Sequence, residues 1–575
     1  MSDETAAGER VAIGIAFGNS SSSIAFTTPE GKAEVIANEE GDRQIPSILS
    51  YVDKEEFHGT QAKAQLIRNS KNTVAYFRDY LGKDFKSIDP TPSHQSAHPQ
   101  QVDSTVAFSI HDTSDETPST VTVSEITTRH LRRLKQSASD FLGKTVNAAV
   151  ITVPTNFADA QREALVAAAK DAGIEVLQLI NEPAAALLAY DARAETGVKD
   201  KLVVVADLGG IRSDVAVVAS RGGIYTILAT VHDYELGGAN LDQVVMDYFA
   251  KEFIKKHKVD PREDVRGLAK LKMECEATKK ALSIGTNATL SIESLTNGID
   301  YGSNINRTRY ELLAGKVFAQ FTGLIESAVK KAGLDPLDID EVILAGGTSH
   351  TPKIARLLES LFPEATQVFA PATLPSAINP SELAARGAAY QASLIQEFDT
   401  EDIEQSIHPM VTVTPHLSNA IGVQLVSADA SAADAVFQPL VNVDTALPAR
   451  RVAQYLAPKE GGDVLVRITE GAREIKVTKP EPVPKEKKEA KADDEDEDDS
   501  DFDSDEDEEE EDIRETVWKA TKPIAEVAVK GVKAGAKIEV TININSDLGA
   551  QITAREVGGK GGVRLAVESQ PNGSA

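Results

Sequence analysis

The sequence predicts a duplicated α/β domain followed by a smaller all-β domain, and three glycine corners plus a change of pattern near residue 411 carry that prediction. The strongest corner lies in Lys201–Asp214, KLVVVADLGGIRSD. There the apolar run Leu202–Ala206 ends at Asp207-Leu208-Gly209-Gly210, and alternation resumes in Val215–Val218. A strand that turns on a carboxylate and two glycines presents backbone N–H groups with no Cβ in the way, which makes room for a phosphate. An altered copy sits near the N-terminus, where Val11–Ile15 leads into Ala16-Phe17-Gly18-Asn19-Ser20 and then Ile24–Phe26, with Ala16 where the later copy has Asp207. The third corner ends Val342–Ala345 at Gly346-Gly347, followed by Thr348-Ser349-His350-Thr351-Pro352 and the amphipathic run Lys353–Leu361. Hydroxyls before a proline suit a helix N-terminus, which attracts anions.

One such corner is equally explained as a tight turn between strands. Three in the order hairpin, hairpin, strand-to-helix, at domain-sized intervals, suit the duplicated actin-like nucleotide fold. Ile151-Thr152-Val153-Pro154, Ile180-Asn181-Glu182-Pro183, Leu236-Gly237-Gly238 and Ala377-Ile378-Asn379-Pro380 follow in order. With these landmarks the chain, from about Val11 to Val567, resembles the seventy-kilodalton heat-shock (DnaK-type) chaperones. The fold implied is an α/β actin-like duplicated ATPase domain followed by a truncated all-β sandwich without a helical lid.

At 575 residues, 41% hydrophobic and 26% charged, the chain is long enough for several cores. Its polar, acidic start lacks the features of a signal peptide, and no apolar run approaches the ~20 residues of a membrane span. The single cysteine, Cys275, has no partner for a disulfide or a metal pair. A cytoplasmic protein is expected. Residues 493–512 hold 17 Asp and Glu; removing them from the net charge of −29 leaves −12. Direct binding to a nucleic-acid backbone needs clustered Lys and Arg, so a role near RNA requires a basic partner.

Residues 1–10 read as a disordered lead, 11–395 as the nucleotide domain, 396–410 as an interdomain linker and 411–575 as the β domain. Helices are expected over Ile126–Leu142, Ala160–Ala172, Leu268–Leu282 and Glu382–Ile395, and Asp89–Asp103, with His94 and His98, reads as a loop. In the β domain, Val411–Pro415, Ala420–Val426, Val436–Val443, Arg450–Leu456, Val464–Thr469, Lys537–Ile544 and Gln551–Val557 read as strands, with a hairpin turn at Gly461-Gly462-Asp463. Residues 481–515 read as a disordered acidic insertion, because like charges at that density repel. At the linker the family carries a leucine run, which this chain replaces by Gln405-Ser406-Ile407-His408-Pro409-Met410-Val411, putting coupling between the domains in doubt.

The resemblance assigns the site residue by residue. In the family two aspartates, a glutamate and a lysine organise magnesium and water around the γ-phosphate of ATP. Here Asp207 and Glu182 are retained, whereas Ala16 and Arg78 stand at the first aspartate and the lysine positions. No catalytic residue is therefore assigned, and any metal would be held by Asp207 and Glu182 through water. Losing one preorganised electrostatic group commonly costs about 10²–10³ in rate, and a planar guanidinium does not replace a compact ammonium. ATP binding outlasting turnover is the expectation, with magnesium undecided. The phosphate corners are Gly18, Asn19, Ser20, Gly209, Gly210, Gly237 and Gly238, and Ile211-Arg212 depart from the family's glycine and threonine. On the adenosine side stand Glu276, Lys279, Lys280 and Ser283, at helical spacings of three, four and seven, with Gly346, Gly347 and His350. A charged surface helix is the plain alternative for that set.

The combination resembles most the atypical Ssz-type branch, which pairs stably with a J-domain protein of the zuotin type in the ribosome-associated complex. That resemblance implies a subunit reaching the ribosome through its partner and assisting another chaperone of the same family on nascent chains, with no direct nucleic-acid or membrane contact. An active ATP-driven peptide-binding chaperone is the alternative, and a filament subunit or small-molecule kinase a more distant one.

Overall fold

The computed structural model describes residues 10–88, 96–103, 105–111, 118–193, 199–407, 416–417, 419–427, 436–458, 461–478, 513–545, 548–559 and 562–567. The chain divides into two units at Val413/Thr414. Two sheets of one design organise the first. In the first lobe, β1 (Ala12–Phe17), β2 (Ser21–Thr27) and β3 (Ala33–Ile36) form an antiparallel meander, to which β4 (Ala148–Val153) and β5 (Glu175–Asn181) add in parallel on the β1 side. In the second lobe, β6 (Lys201–Leu208), β7 (Ser213–Arg221) and β8 (Ile224–Asp233) repeat the meander, and β9 (Glu341–Ala345) and β10 (Gln367–Phe369) add in parallel on the β6 side. The duplication read from the glycine corners is thus a duplication of strand order, β5-β4-β1-β2-β3 and β8-β7-β6-β9-β10.

Helices cover these sheets. The first lobe has α1 (Val123–Leu142), α2 (Asp159–Asp171) and α3 (Glu182–Asp191); the second has α4 (Gly238–His257), α5 (Val265–Ile284), α6 (Gly315–Lys331) and α7 (Pro352–Leu361). Local chemistry sets their ends: the Thr122 hydroxyl accepts from the Glu125 N–H at the start of α1, and Gly143 ends it at φ 64°. Each lobe has its own core, one around Ile13, Ile15, Phe77 and Leu131, the other around Val204, Phe249, Phe321 and Leu344. The alanine-rich α8 (Leu383–Ile395) lies against β1 and α3 at a distance only glycine permits. A Cβ on Gly14 would fall 2.1 Å from the Ala389 nitrogen, and one on Gly387 1.8 Å from the Ala185 oxygen. No single helix among the described residues is long and apolar enough to cross a membrane.

The stretch expected as an irregular linker is helical over α9 (Thr400–Ile407). Its start is capped by Asp399, which accepts from the Asp402 N–H at 2.8 Å, and Glu401 and Asp402 in the first turn favour a helix N-terminus. Ile403, 6% exposed, packs with Ala148, Val150, Leu177, Ala388 and Ala392. Two isoleucines four apart, Ile403 and Ile407, are too little periodicity to read as a helix, so docking decides. Arg10 holds the approach: its guanidinium donates to the Gln396 and Phe398 carbonyls at 3.0 and 2.7 Å and forms a two-bond fork with Glu175 at 3.1 and 2.8 Å.

The second unit is a pair of four-stranded antiparallel sheets. One has the order β12 (Gln438–Val441), β11 (Ala420–Ser427), β14 (Gly462–Thr478), β15 (Ile513–Val532); the other runs β13 (Ala449–Leu456), β16 (Lys537–Ile544), β17 (Ala550–Glu556), β18 (Gly562–Val567). Alternation works as read: Ile538, Val540, Ile542 and Ile544 all enter the core. Three expectations change. Gly461-Gly462-Asp463 joins β13 of one sheet to β14 of the other, so it is a crossover between sheets and not a hairpin turn. The strand over Val464–Thr469 continues to Thr478, paired throughout with β15, a strand absent from the sequence reading. Because β15 starts at Ile513, the last three residues assigned to the acidic insertion belong to a strand. Arg10, expected as the end of a disordered lead over 1–10, is instead fixed by its contacts with Glu175, Gln396 and Phe398, while residues 1–9 of that lead, His94, Val411–Pro415 and the insertion over 481–512 lie outside the described residues.

Replacing Arg10 by Ala removes the fork on Glu175 and both carbonyl contacts. Amide hydrogen exchange across residues 400–407 is expected to accelerate at least tenfold, a loss of about 1.4 kcal/mol of local stability, while exchange in β1 and β6 stays unchanged.

Candidate nucleotide site

The corners converge as their spacing in the chain predicts. In the β1–β2 hairpin, a Cβ on Gly18 would sit 2.2 Å from the Ser21 oxygen; in the β6–β7 hairpin, the Gly209 N–H donates to the Arg212 carbonyl at 2.9 Å. The two tips meet, since a Cβ on Gly210 would lie 2.6 Å from the Ser20 hydroxyl. The start of α4 joins them through Gly238 N–H to Gly209 O (3.0 Å) and Ala239 N–H to Gly210 O (2.7 Å), and Gly237 packs against the Gly210 backbone. Gly346, at φ 81°, brings the β9 corner against Asp207, where a Cβ would fall 2.4 Å from Oδ1. Gly347 opens the following short helical turn, from which the Thr348 hydroxyl donates to the Gly209 carbonyl at 2.8 Å.

On α5 the four expected residues separate into two roles. Lys279 is buried and turns inward, donating to the Gly238 carbonyl at 3.1 Å and pairing with Asp242 at 2.8 Å. Glu276 faces the opposite lobe, paired with Lys63 at 2.6 Å and with Lys280 at 2.7 Å. Burial would raise its carboxyl, but the two lysines outweigh that and hold it down at about 2. Lys280 is 67% exposed, and the Ser283 hydroxyl bonds back to the Lys279 carbonyl within its own helix. His350 contacts the Ser381 hydroxyl at 3.2 Å, and burial lowers its basicity.

The floor of the cleft is where the substituted positions act. Arg78, 4% exposed, donates to Asp79 at 2.9 Å, to Glu182 at 3.1 Å and to the Phe17 carbonyl at 3.2 Å. Arg212, 7% exposed, comes from the other lobe; it bonds Asp79 at 2.9 Å, holds Asp214 through both oxygens and stacks 4.5 Å from the Tyr234 ring centroid. Asp214 also contacts His232 at 2.6 Å, and Asn19 donates to Asp79 while accepting from the Arg78 N–H. Asn156, from the first lobe, bonds the Tyr234 hydroxyl of the second. Asp79, Asp214, Lys63, Asn156 and Tyr234 were not singled out by sequence; their place in the site follows from contacts that only the fold brings together. Arg212 carried a visible signal, an arginine where the family has a small residue, without showing what it would meet. Asp233, at the end of β8 and beside Leu236-Gly237-Gly238, caps the turn by accepting from the Glu235 and Leu236 N–H groups.

Beneath the corners lies a cavity of about 20 Å³, lined in part by Thr155, Glu182, Asp207 and Asp214. That is room for roughly one water, which needs about 10–15 Å³. Burial pushes Glu182 up to about 8 against the pull of Arg78, and burial with neighbouring Asp214 pushes Asp207 up to about 6. Asp79 and Asp214 stay below the usual range, because the arginines, and for Asp214 also His232, outweigh the burial of each.

The family's magnesium does not fit this donor set. Ala16 supplies no oxygen and packs with Ala25, Val35, Ala385 and Ala389. Glu182 and Asp214 already accept from guanidinium groups, leaving Asp207 alone of the expected pair without an ion-pair partner among the described residues. No three His, Cys, Asp or Glu side chains among those residues are arranged to hold a metal ion. Magnesium beside a nucleotide takes its octahedral oxygens from water, phosphates and one or two carboxylates, and of the expected carboxylates only Asp207 is left to offer one.

Two outcomes follow from the ion network. Arg78→Ala leaves Asp79 and Glu182 buried with a lost partner and is expected to destabilise the first unit by about 3–5 kcal/mol in denaturant unfolding. Glu182, whose folded pKa is raised, keeps its proton in the fold after the unfolded chain has lost it. Its stabilising protonated state is therefore lost as pH rises through about 8. Between pH 7 and 8 the unfolding free energy is expected to fall by up to ~1 kcal/mol, and Glu182→Gln to flatten that slope.

The comparisons with known proteins agree with this architecture. The Hsp70 protein family matches residues 12–427. A heat shock protein 70 homolog of Schizosaccharomyces pombe is 45% identical over 557 residues, 96% of this chain and 94% of its own length. Ribosome-associated complex subunit SSZ1 of Saccharomyces cerevisiae is 45% identical over 545 residues, 95% of this chain and 97% of its own. A ribosome-associated molecular chaperone of the same yeast is 35% identical over 415 residues, 72% of this chain and 66% of its own. With paired sheets of one strand order, glycine corners meeting between them and a β-sandwich unit following in sequence, the chain belongs to the Hsp70 family, whose first domain is a nucleotide-binding fold.

Proposed function

We propose that this chain binds ATP with little or no hydrolysis and acts as a structural or regulatory subunit. Its partner is a J-domain protein of the zuotin type, and the pair assists another chaperone of the family in folding nascent chains at the ribosome. One observation carries the nucleotide part: the position of the family's lysine is taken by Arg78, whose guanidinium is occupied by Asp79 and Glu182, while Ala16 offers no acceptor. A general base or water-positioning carboxylate must be free to meet the water it orients. Glu182 instead accepts from Arg78. The glycine corners, by contrast, keep the Cβ-free backbone that lets a phosphate approach closely, which supports binding without turnover.

The partner reading is supported by similarity along almost the whole chain to a protein named as a ribosome-associated complex subunit, and by similarity to chaperones named as ribosome-associated. The charge fits it, because a chain of net charge −29 needs a basic partner to sit against RNA phosphates. In this reading the complex works in the cytoplasm. Retention of Asp207 and Glu182 beside one cavity favours the alternative, an active ATP-driven peptide-binding chaperone.

Radiolabelled ATP added to purified protein, with excess removed, separates the two. Nucleotide retained for hours with no phosphate release is expected, and Ala16→Asp alone is expected to leave the rate within about tenfold of background, since Arg78 still occupies Glu182. Phosphate release abolished by Glu182→Ala would establish the active chaperone instead.

A further inference from the structure

A nucleoside triphosphate brings several negative charges into a cleft, and burying them requires positive partners with donors in the right places. The usual partner in phosphate sites, a divalent cation, does not fit the oxygen donors here. Two guanidinium groups stand where its charge would be needed. Resting on the ATP-binding reading above, we infer that this chain receives the phosphate end of the nucleotide on Arg78 and Arg212 instead of on a divalent cation, so that nucleotide binding is independent of magnesium.

Position supports this first. Arg78 reaches the Phe17 carbonyl at the base of the first corner, and Arg212 stands two residues after Gly210, its own carbonyl closing the second. The two side chains come from opposite lobes and meet on a single carboxylate, Asp79, which accepts from each at 2.9 Å. One anion shared by two planar forks is the geometry in which arginines take up phosphate oxygens. Asp79 therefore holds the place of a phosphoryl group while the lobes are closed.

On release that carboxylate keeps one neutral donor. Asn19 donates to Asp79 at 3.2 Å, and Asp214 keeps His232 at 2.6 Å when Arg212 turns away. Arg78 has donors to spare, because its Nη2 group makes no hydrogen bond among the described residues while Nε and Nη1 make three. The exchange is one of acceptors: phosphate oxygens replace carboxylate oxygens on the same guanidinium groups as the lobes part and close again. No bond is made or broken in it. A lysine would supply a charge without the fork.

The rival explanation is that both arginines serve only to bind the lobes to each other. Equilibrium binding of labelled ATP to the full chain, in excess magnesium chloride and again in excess EDTA, decides between them. Dissociation constants within about threefold of each other are expected, less than ~1 kcal/mol. Arg212→Lys, which keeps the charge and loses the fork, is expected to weaken binding about tenfold in both buffers. The double change Ala16→Asp with Arg78→Lys is expected to bind at least tenfold tighter with magnesium than without it. Loss of wild-type binding in EDTA overturns the inference and leaves ATP binding standing. Unchanged affinity of Arg212→Lys in EDTA assigns the arginines to lobe contact alone and overturns it too. No ATP binding in either buffer removes the reading beneath it. The EDTA comparison needs no variant, so a misfolded mutant leaves the outcome decided.

Discussion

Asp79 sits between two buried arginines from opposite lobes, and the closed form of the nucleotide unit depends on that contact. Each ion is costly to bury alone and acceptable only with its partners in place. Arg78 answers Asp79 and Glu182; Arg212 answers Asp79 and Asp214; Asn19 and His232 satisfy what remains. Removing one member strands the others, so the floor of the cleft behaves as a unit. At the mouth Lys63 and Glu276 make a second, more exposed link between the lobes.

The duplicated sheet explains why those groups meet. Parallel strands β4 and β9 set β1 and β6 at the centres of their sheets, and each central strand delivers its hairpin tip to the same place. Glycine at the tips lets the corners touch: Gly210 lies against Ser20, Gly237 against Gly210, and Gly346 against Asp207. Among those corners Ala16 packs between alanines, and Arg78 and Arg212 bring planar cations to the floor of the cleft. Scaffold and chemistry are thus separable, since backbone corners hold phosphates whatever the side chains then do with them.

The rest of the chain shows the same division between local rule and long-range packing. Several strands of the second unit follow period-two alternation closely enough to be read from sequence, as with Ile538 to Ile544, whereas β15 and β18 were not. Their assignment to sheets did not follow. The turn at Gly461 and Gly462 has glycine φ angles of 67° and 96°, which suit a hairpin as well as a crossover, and only the pairing partners distinguish the two. Helix α9 was missed because a single docked isoleucine and a clasp from Arg10, far away in sequence, hold it.

By itself the sequence determined the repeated fold, the corners and the changed chemistry. Glycine spacing, β-branched runs and helix signals are local, and the identities of Ala16, Arg78, Asp207 and Glu182 are legible at once. It also placed Glu276, Lys279, Lys280 and Ser283 on one helix, since 3.6 residues per turn follows from backbone geometry. Only the tertiary structure decided what each side chain meets. Lys279 turns inward and Lys280 outward, one residue apart, according to which faces the corner at Gly238. Arg212 finds Asp79 across 133 residues of chain. Ion pairing of that kind depends on distance and burial in space, and neither is written in the order of residues along the chain.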